Sequence, residues 1–212
     1  MLTLTEKPFV TSRTGEVGSG QGTSDEALIG AIAAGNRRAM QLLYARHNVR
    51  IYRFVLHLAN DRSLAEDLVS EVFLDVWRAA EGFKAKSQVS TWMLAIARHK
   101  ALSALRRRSD EQLDEDDATA ITDPADDAET TVDKQDRSAV VQHCLSQLST
   151  LHREVLDLVY YHEKSVDEVA EIVGAPVNTV KTRMFYARKR MQTLLEAAGL
   201  DARCFALGRD SA

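Results

Sequence analysis

The stretch Ser165 to Arg190, SVDEVAEIVGAPVNTVKTRMFYARKR, leaves this chain few ways to fold. Ser165 and Glu168 have the spacing of a capping box, in which a hydroxyl and a carboxylate satisfy each other's backbone N–H groups at a helix start. Val166, Val169, Ala170 and Val173 then give one apolar face. Gly174 can take the left-handed conformation that ends a helix, and Pro176 cannot continue it. A second helix is predicted from near Asn178. Its residues Val177, Val180, Met184, Ala187, Met191 and Leu194 recur at helical spacing and predict a buried side. The opposite side carries Thr179, Lys181, Thr182, Arg183, Phe185, Tyr186, Arg188 and Lys189. Two short helices joined by a tight turn, the second one cationic, fit the major groove of DNA. A plain helical hairpin with a solvated basic face shares the outline. Cap, turn, apolar period and basic face all fall in register, which favours DNA.

The rest of the chain reads as helix too. With 3 prolines and 10 glycines in 212 residues, few breakers interrupt the pattern. Thr23 with Glu26 predicts a capping box before ALIGAIAAG, and Asn36 predicts a cap for a helix over about 37–59. In that helix Met40, Leu43, Tyr44, Ile51, Phe54, Val55 and Leu58 are expected inward. Asn60-Asp61 reads as a turn, and Ser63 with Glu66 as the capping box of a third helix ending near Gly82. After the loop FKAKSQV, Ser90 or Thr91 is expected to cap a fourth helix running to about Arg108. Four further helices are predicted at roughly 138–147, 150–162, 166–173 and 178–197. The expected fold is all-α: two small helical domains, residues 23–109 and 137–198, joined by a flexible acidic linker over 110–136. Residues 1–22 and 199–212 read as tails.

Charge supports this division. The net charge of −4 looks wrong for a nucleic-acid binder, but Asp110 to Asp136 holds twelve acids and one base and carries −11. The remainder therefore carries +7. No run of apolar residues is long enough to span a membrane, and the N-terminus lacks the apolar core of a secretory signal. Cys144 and Cys204 are too few for a disulfide framework, so the cytoplasm is the expected compartment, with Cys144 a small buried hydrophobe.

Three segments resemble the extracytoplasmic-function (ECF) sigma factors of bacterial RNA polymerase, which are built from sigma regions 2 and 4. They are AEDLVSEVFLDVWR (Ala65 to Arg78), FKAKSQVSTWMLAIARHKALSALRRR (Phe83 to Arg108) and the helix-turn-helix above. The likeness covers about Ser24 to Arg108 and Val140 to Leu195. It implies that the first segment docks on core RNA polymerase through Asp67, Leu68, Ser70, Glu71 and Asp75. An acidic face suits a basic protein groove and is repelled by DNA. The second segment is implied to melt the promoter −10 element through Phe83, Lys84, Lys86, Ser90, Arg98, His99, Lys100, Arg106 and Arg107. Cations beside aromatics suit single-stranded DNA, and the loop Phe83 to Val89 is implied to hold a flipped-out base. Trp77 and Trp92 read as core residues. His99 and Ser103 stand where relatives often carry asparagine and aspartate. The helix-turn-helix is implied to read the −35 element. An anti-sigma protein is a further implied partner.

Catalysis has no motif to carry it. His57, His143, His152 and His162 have no metal-ligand spacing, and the chain lacks a phosphate loop and a nucleophile elbow. No cofactor and no metal are expected, and the chain does not read as an enzyme. The alternative is a conventional helix-turn-helix regulator whose N-terminal bundle senses a ligand or dimerises. The lysine loop followed by an arginine-rich helix argues against it, because a sensor bundle needs an apolar pocket.

Overall fold

The computed structural model describes residues 22–112 and 132–200, with side chains placed over 22–108 and 139–200. All of the elements in these residues are helical. The first domain contains α1 (Asp25–Ala33), α2 (Arg37–Ala59), α3 (Arg62–Ala79), a 3-10 turn (Ala80–Gly82) and α4 (Val89–Gln112). Helices α2, α3 and α4 pack on one another, and α1 lies against α2. Leu43, Phe54, Val55, Val72, Val76 and Met93 are completely enclosed. Each such large apolar side chain contributes about 1.5–3 kcal/mol when buried.

The second domain contains α5 (Val132–Ser146), α6 (Thr150–Leu156), α7 (Val166–Val173) and α8 (Val177–Ala197). Helix α6 runs on through a π-helical turn, Asp157–Tyr161. Val155, Leu158, Val169, Val180, Ala187 and Met191 fill its centre. The expected helix-turn-helix forms as read. Ser165 accepts from the Glu168 N–H at 3.2 Å, and the Glu168 carboxylate accepts from the Ser165 N–H at 3.0 Å. Gly174 sits at φ 64°, ψ 38°, the left-handed region where a side chain would add strain.

Several boundaries differ from the sequence expectation. Ser24, not Thr23, caps α1, accepting from the Ala27 N–H at 3.2 Å. Asp61, not Ser63, caps α3, accepting from the Leu64 N–H at 3.0 Å. Its second oxygen meets Arg108 at 2.6 Å. The Leu64 N–H, then Arg108, hold the Asp61 carboxyl below the usual carboxylate range. Ser90 and Thr91 lie inside α4, which begins at Val89. Tyr44, expected inward, is half-exposed and rests its ring on Phe73, 4.7 Å between centroids. The ends of the expected linker, 110–112 and 132–136, belong to α4 and α5. Extending a formed helix adds a hydrogen bond per residue fixed and needs no new nucleus, so helices run past their last apolar residue. The rest of the linker and the tails, with Cys204, lie outside the described residues.

The two domains pack on each other, α7 on α4 and α6 on α2. The sequence suggested tethered modules, not this seam. It is mostly polar. Arg98 of α4 pairs with Glu154 of α6, at 2.5 Å from Nε and 3.3 Å from Nη2. Thr91 donates to Glu168 Oε1 at 2.6 Å. Lys164 meets Ser90 Oγ at 2.7 Å, Glu168 Oε1 at 2.9 Å and Gln88 Oε1 at 3.2 Å, one acceptor for each ammonium proton. Beside α2, Asp157 accepts from His57 Nδ1 at 2.8 Å, Arg53 donates to the Tyr161 hydroxyl, and His162 packs edge-on against Phe54.

Candidate nucleic-acid interface

Helix α8 sorts the expected −35 residues into two groups. Val180, Met184, Ala187, Met191 and Leu195 face the core. Lys181, Thr182, Phe185, Tyr186 and Lys189 form an outer stripe at helical spacing, all exposed. Phe185 and Tyr186 are 62% and 54% exposed, large aromatic areas that nothing in the described chain covers. Thr179, Arg183 and Arg188 are half-buried along the edges of the stripe. Arg188 donates from Nε to the Tyr160 hydroxyl at 3.0 Å, and its guanidinium lies over the Tyr160 ring. Tyr160 thus fixes a cation at the edge of the exposed stripe, a contact 28 residues apart that no local spacing rule foretells.

The expected −10 residues are spread along the loop and α4. Lys84, Lys86, His99, Arg106 and Arg107 are exposed. Phe83 is half-buried and stacks on Trp92, 4.9 Å between centroids. Trp92, like Trp77, is half-buried and packs against the core. It lines a shallow cleft between the end of α3 and α4, with Arg78, Ala79, Ile96 and His99. Trp77 is half-buried against the core, as read. Ser90 and Arg98 are taken up by the seam, bonded to Lys164 and Glu154. Lys100 turns away from solvent toward α3, 3.0 Å from Asp75 and 3.1 Å from Glu71. Those carboxylates, Asp75 first, raise its ammonium pKa above the ordinary value.

On α3, Leu68, expected on the polymerase-facing surface, is 2% exposed and belongs to the core, because it lies on the apolar stripe of the helix. Asp67 and Ser70 are exposed, while Glu71 and Asp75 share Lys100. Leu74, 54% exposed, lies one turn beyond Ser70 and Glu71. An exposed leucine beside an acidic strip is a feature of this face that the sequence reading overlooked. Its signal was its place on the polar side of the apolar stripe. Among the described residues no group of His, Cys, Asp or Glu could hold a metal ion, and no helix is long and apolar enough to cross a membrane. Cys144 is buried, and burial pushes its thiol pKa up.

The comparisons with known proteins agree with this geometry. Residues 43–111 match the Sigma-70 region 2 family, and residues 138–191 match Sigma-70, region 4. The ECF RNA polymerase sigma factor SigK of Mycobacterium ulcerans is 30% identical over 183 residues, 84% of this chain and 97% of the relative. The chain belongs to the ECF sigma factors. SigK of Mycobacterium tuberculosis is 28% identical over 177 residues, 82% of this chain and 94% of the relative. Two solved structures share the arrangement. CnrH, in complex with the cytosolic domain of CnrY, has a TM-score of 0.61 at 26% identity, covering 82% of this chain and 99% of that one. The sigma factor RpoE of Bartonella quintana, in complex with the anti-sigma factor NepR, has a TM-score of 0.59 at 26% identity, covering 72% and 94%. In this ECF sigma factor region 2 therefore lies within the α1–α4 bundle, and region 4 within α5–α8.

One carboxylate makes the region 2–region 4 seam sensitive to acid. Burial opposes ionisation of Glu168, but the hydrogen bonds from Thr91, Lys164 and the Ser165 N–H override it and hold its pKa at about 2. A depressed folded-state pKa gives stability that is complete above the ordinary carboxylate value of 4.5 and is lost as pH falls toward about 2. The seam should therefore loosen between these limits. Small-angle scattering across that range should show the chain expanding, and Glu168→Gln should shrink the acid-dependent step, the remainder belonging to Asp157, whose carboxyl, despite its burial, His162 and His57 hold below the usual range.

Proposed function

We propose that this sigma factor docks on core RNA polymerase through the outer face of α3, melts the −10 element with the 83–88 loop and α4, and reads the −35 element with α8. The observation that carries the reading is the α8 stripe of Lys181, Thr182, Phe185, Tyr186 and Lys189, directed outward from a capped helix-turn-helix. Lysines at its ends suit phosphates, and the residues between them suit base edges and the thymine methyl. In region 2, His99 and Trp92 border a cleft suited to an unstacked base, with Lys84, Lys86, Arg106 and Arg107 as the cations around it. Asp67, Ser70 and Leu74 make the polymerase contact, with Glu71 and Asp75 behind them. The protein acts by binding, in the cytoplasm, and catalyses no reaction of its own. An anti-sigma protein is its regulatory partner. The solved relatives support that expectation, since one was crystallised with an anti-sigma factor.

The test is transcription reconstituted from the purified chain and sigma-free core polymerase on a promoter library. The chain should select a small set of templates sharing −10 and −35 elements. Asp67→Ala with Leu74→Ala should lose co-elution with core enzyme and fold normally, because both side chains are exposed. Failure to select any template would remove the proposal.

A further inference from the structure

One cation of the chain stands between two surfaces that the proposed function assigns to different partners. Lys100 projects from α4, where it follows exposed His99 and lies two turns before exposed Arg107 on the same side of the helix. Its ammonium turns to α3 instead, 3.0 Å from Asp75 Oδ2 and 3.1 Å from Glu71 Oε2. Asp75 also lines the cleft that His99 borders, so the ammonium already sits at the edge of the candidate −10 surface. The two carboxylates are 35% and 47% exposed and lie one and two turns along α3 from Asp67, within reach of a partner. Arg78 stands 3.7 Å from the other oxygen of Asp75, outside hydrogen-bond distance. A guanidinium holds a carboxylate through a planar fork of two donors, whereas an ammonium is a strongly hydrated point charge. Arginines brought by a basic protein groove therefore compete well with Lys100 for these acids.

We propose that Lys100 is an exchangeable counter-ion that couples polymerase docking on α3 to DNA binding on α4. In the free chain it neutralises Asp75 and Glu71. When arginine side chains of a basic groove take those carboxylates, Lys100 turns outward to a phosphate of the single strand at the −10 surface. This rests on the proposed function, which puts polymerase on α3 and DNA on α4, and deepens it by naming a residue through which each favours the other. Such a coupling is reciprocal, so DNA tightens polymerase binding by the factor that polymerase tightens DNA binding.

The test variant is Lys100→Met, which keeps the length of the stem and leaves two carboxylates that water can reach. Labelled full-length chains are titrated with core polymerase and read by anisotropy. The holoenzymes are then assayed for open-complex formation on a promoter selected from the library, over a series of salt concentrations. Exchange predicts effects of opposite sign. Without its internal competitor the α3 face should bind core polymerase about fivefold more tightly, the low end of couplings between two sites. Without its phosphate contact the holoenzyme should lose about 0.7 from the slope of log affinity against log salt, the value of one single-strand phosphate. Arg38→Met makes the same charge change at an exposed position of α2 and should do neither. A Lys100→Met chain that binds polymerase no better than wild type overturns the exchange, and so does an unchanged salt slope. Equal tightening by Arg38→Met reduces the gain to net charge and also overturns it. Lysine acetylation mapped by mass spectrometry tests the wild-type chain, and decides the matter if Lys100→Met loses helix content. Asp75, then Glu71, hold the ammonium pKa above its ordinary value, which slows its reaction with an acetylating ester. Core polymerase should raise labelling of Lys100 severalfold, and promoter DNA should lower it again. Labelling that is unchanged or falls when polymerase binds overturns the proposal. Failure of the underlying reading shows separately, as no template selection by the wild-type chain with core polymerase.

Discussion

Lys181→Ala with Arg183→Ala is expected to remove −35-dependent transcription and leave polymerase binding intact. Lys181 lies in the exposed stripe of α8, and Arg183 lies half-buried at its edge. Neither side chain is among the residues that make up the core. Surface substitutions of this kind change stability by about 0.5 kcal/mol or less, so the helix-turn-helix should persist. A cation on a guanine edge contributes about 1–3 kcal/mol of discrimination. Two such contacts correspond to roughly 30-fold to 20,000-fold in binding. If both cations instead hold phosphates, affinity falls on all sequences alike, and the slope of log affinity against log salt drops by about two. Run-off transcription from matched promoters with and without the −35 element reads the first outcome, and a salt titration of duplex binding reads the second. A variant that melts earlier, or no longer co-elutes with core enzyme, would show that α8 has been assigned the wrong face.

That face was legible in the sequence because local physics fixes it. A capping box, a left-handed glycine, a proline and an apolar period each act within a few residues, and all agree at Ser165 to Arg190. The same holds for Asn36, whose side chain caps α2 by accepting from the Arg38 and Ala39 N–H groups. Legibility fails where two local solutions compete and tertiary contacts choose. Thr23 and Ser24 are both good caps. Asp25 is drawn to Arg46 and His47, at 2.8 and 2.7 Å, and the helix starts one residue later than its capping-box spacing suggests. Ser63 offered a capping box, but Asp61 also gains Arg108, 47 residues on. The seam was invisible for a stronger reason. Its bonds join residues 56 to 108 positions apart, and no spacing rule reaches so far. Ser90 and Arg98 looked like solvent-facing DNA contacts because the sequence offered them no nearer partner. The partners of Lys100 were equally hidden. It stands one helix position from exposed His99 but points to the carboxylates of α3.

The Arg98–Glu154 pair separates specificity from stability by experiment. Glu154→Ala leaves a guanidinium that is only 18% exposed without its partner, and breaking a buried pair from one side costs about 3–5 kcal/mol. The chain has a way to avoid that cost, because parting the domains returns Arg98 to water. The loss should therefore fall on the seam and not on either core. In wild type, regions 2 and 4 should unfold together in urea. In Glu154→Ala they should unfold in two steps, resolved by a fluorophore placed in each domain. Arg98→Met with Glu154→Leu replaces the pair by apolar groups of similar length, an exchange that is often neutral or stabilising. It should restore the single transition and keep the chain closed. Two apolar residues could then hold the domains together as well as the ion pair does. What they lack is the ability to exchange one charged partner for another. Should the apolar double variant also unfold in two steps, the pair would be a net source of stability and not of specificity.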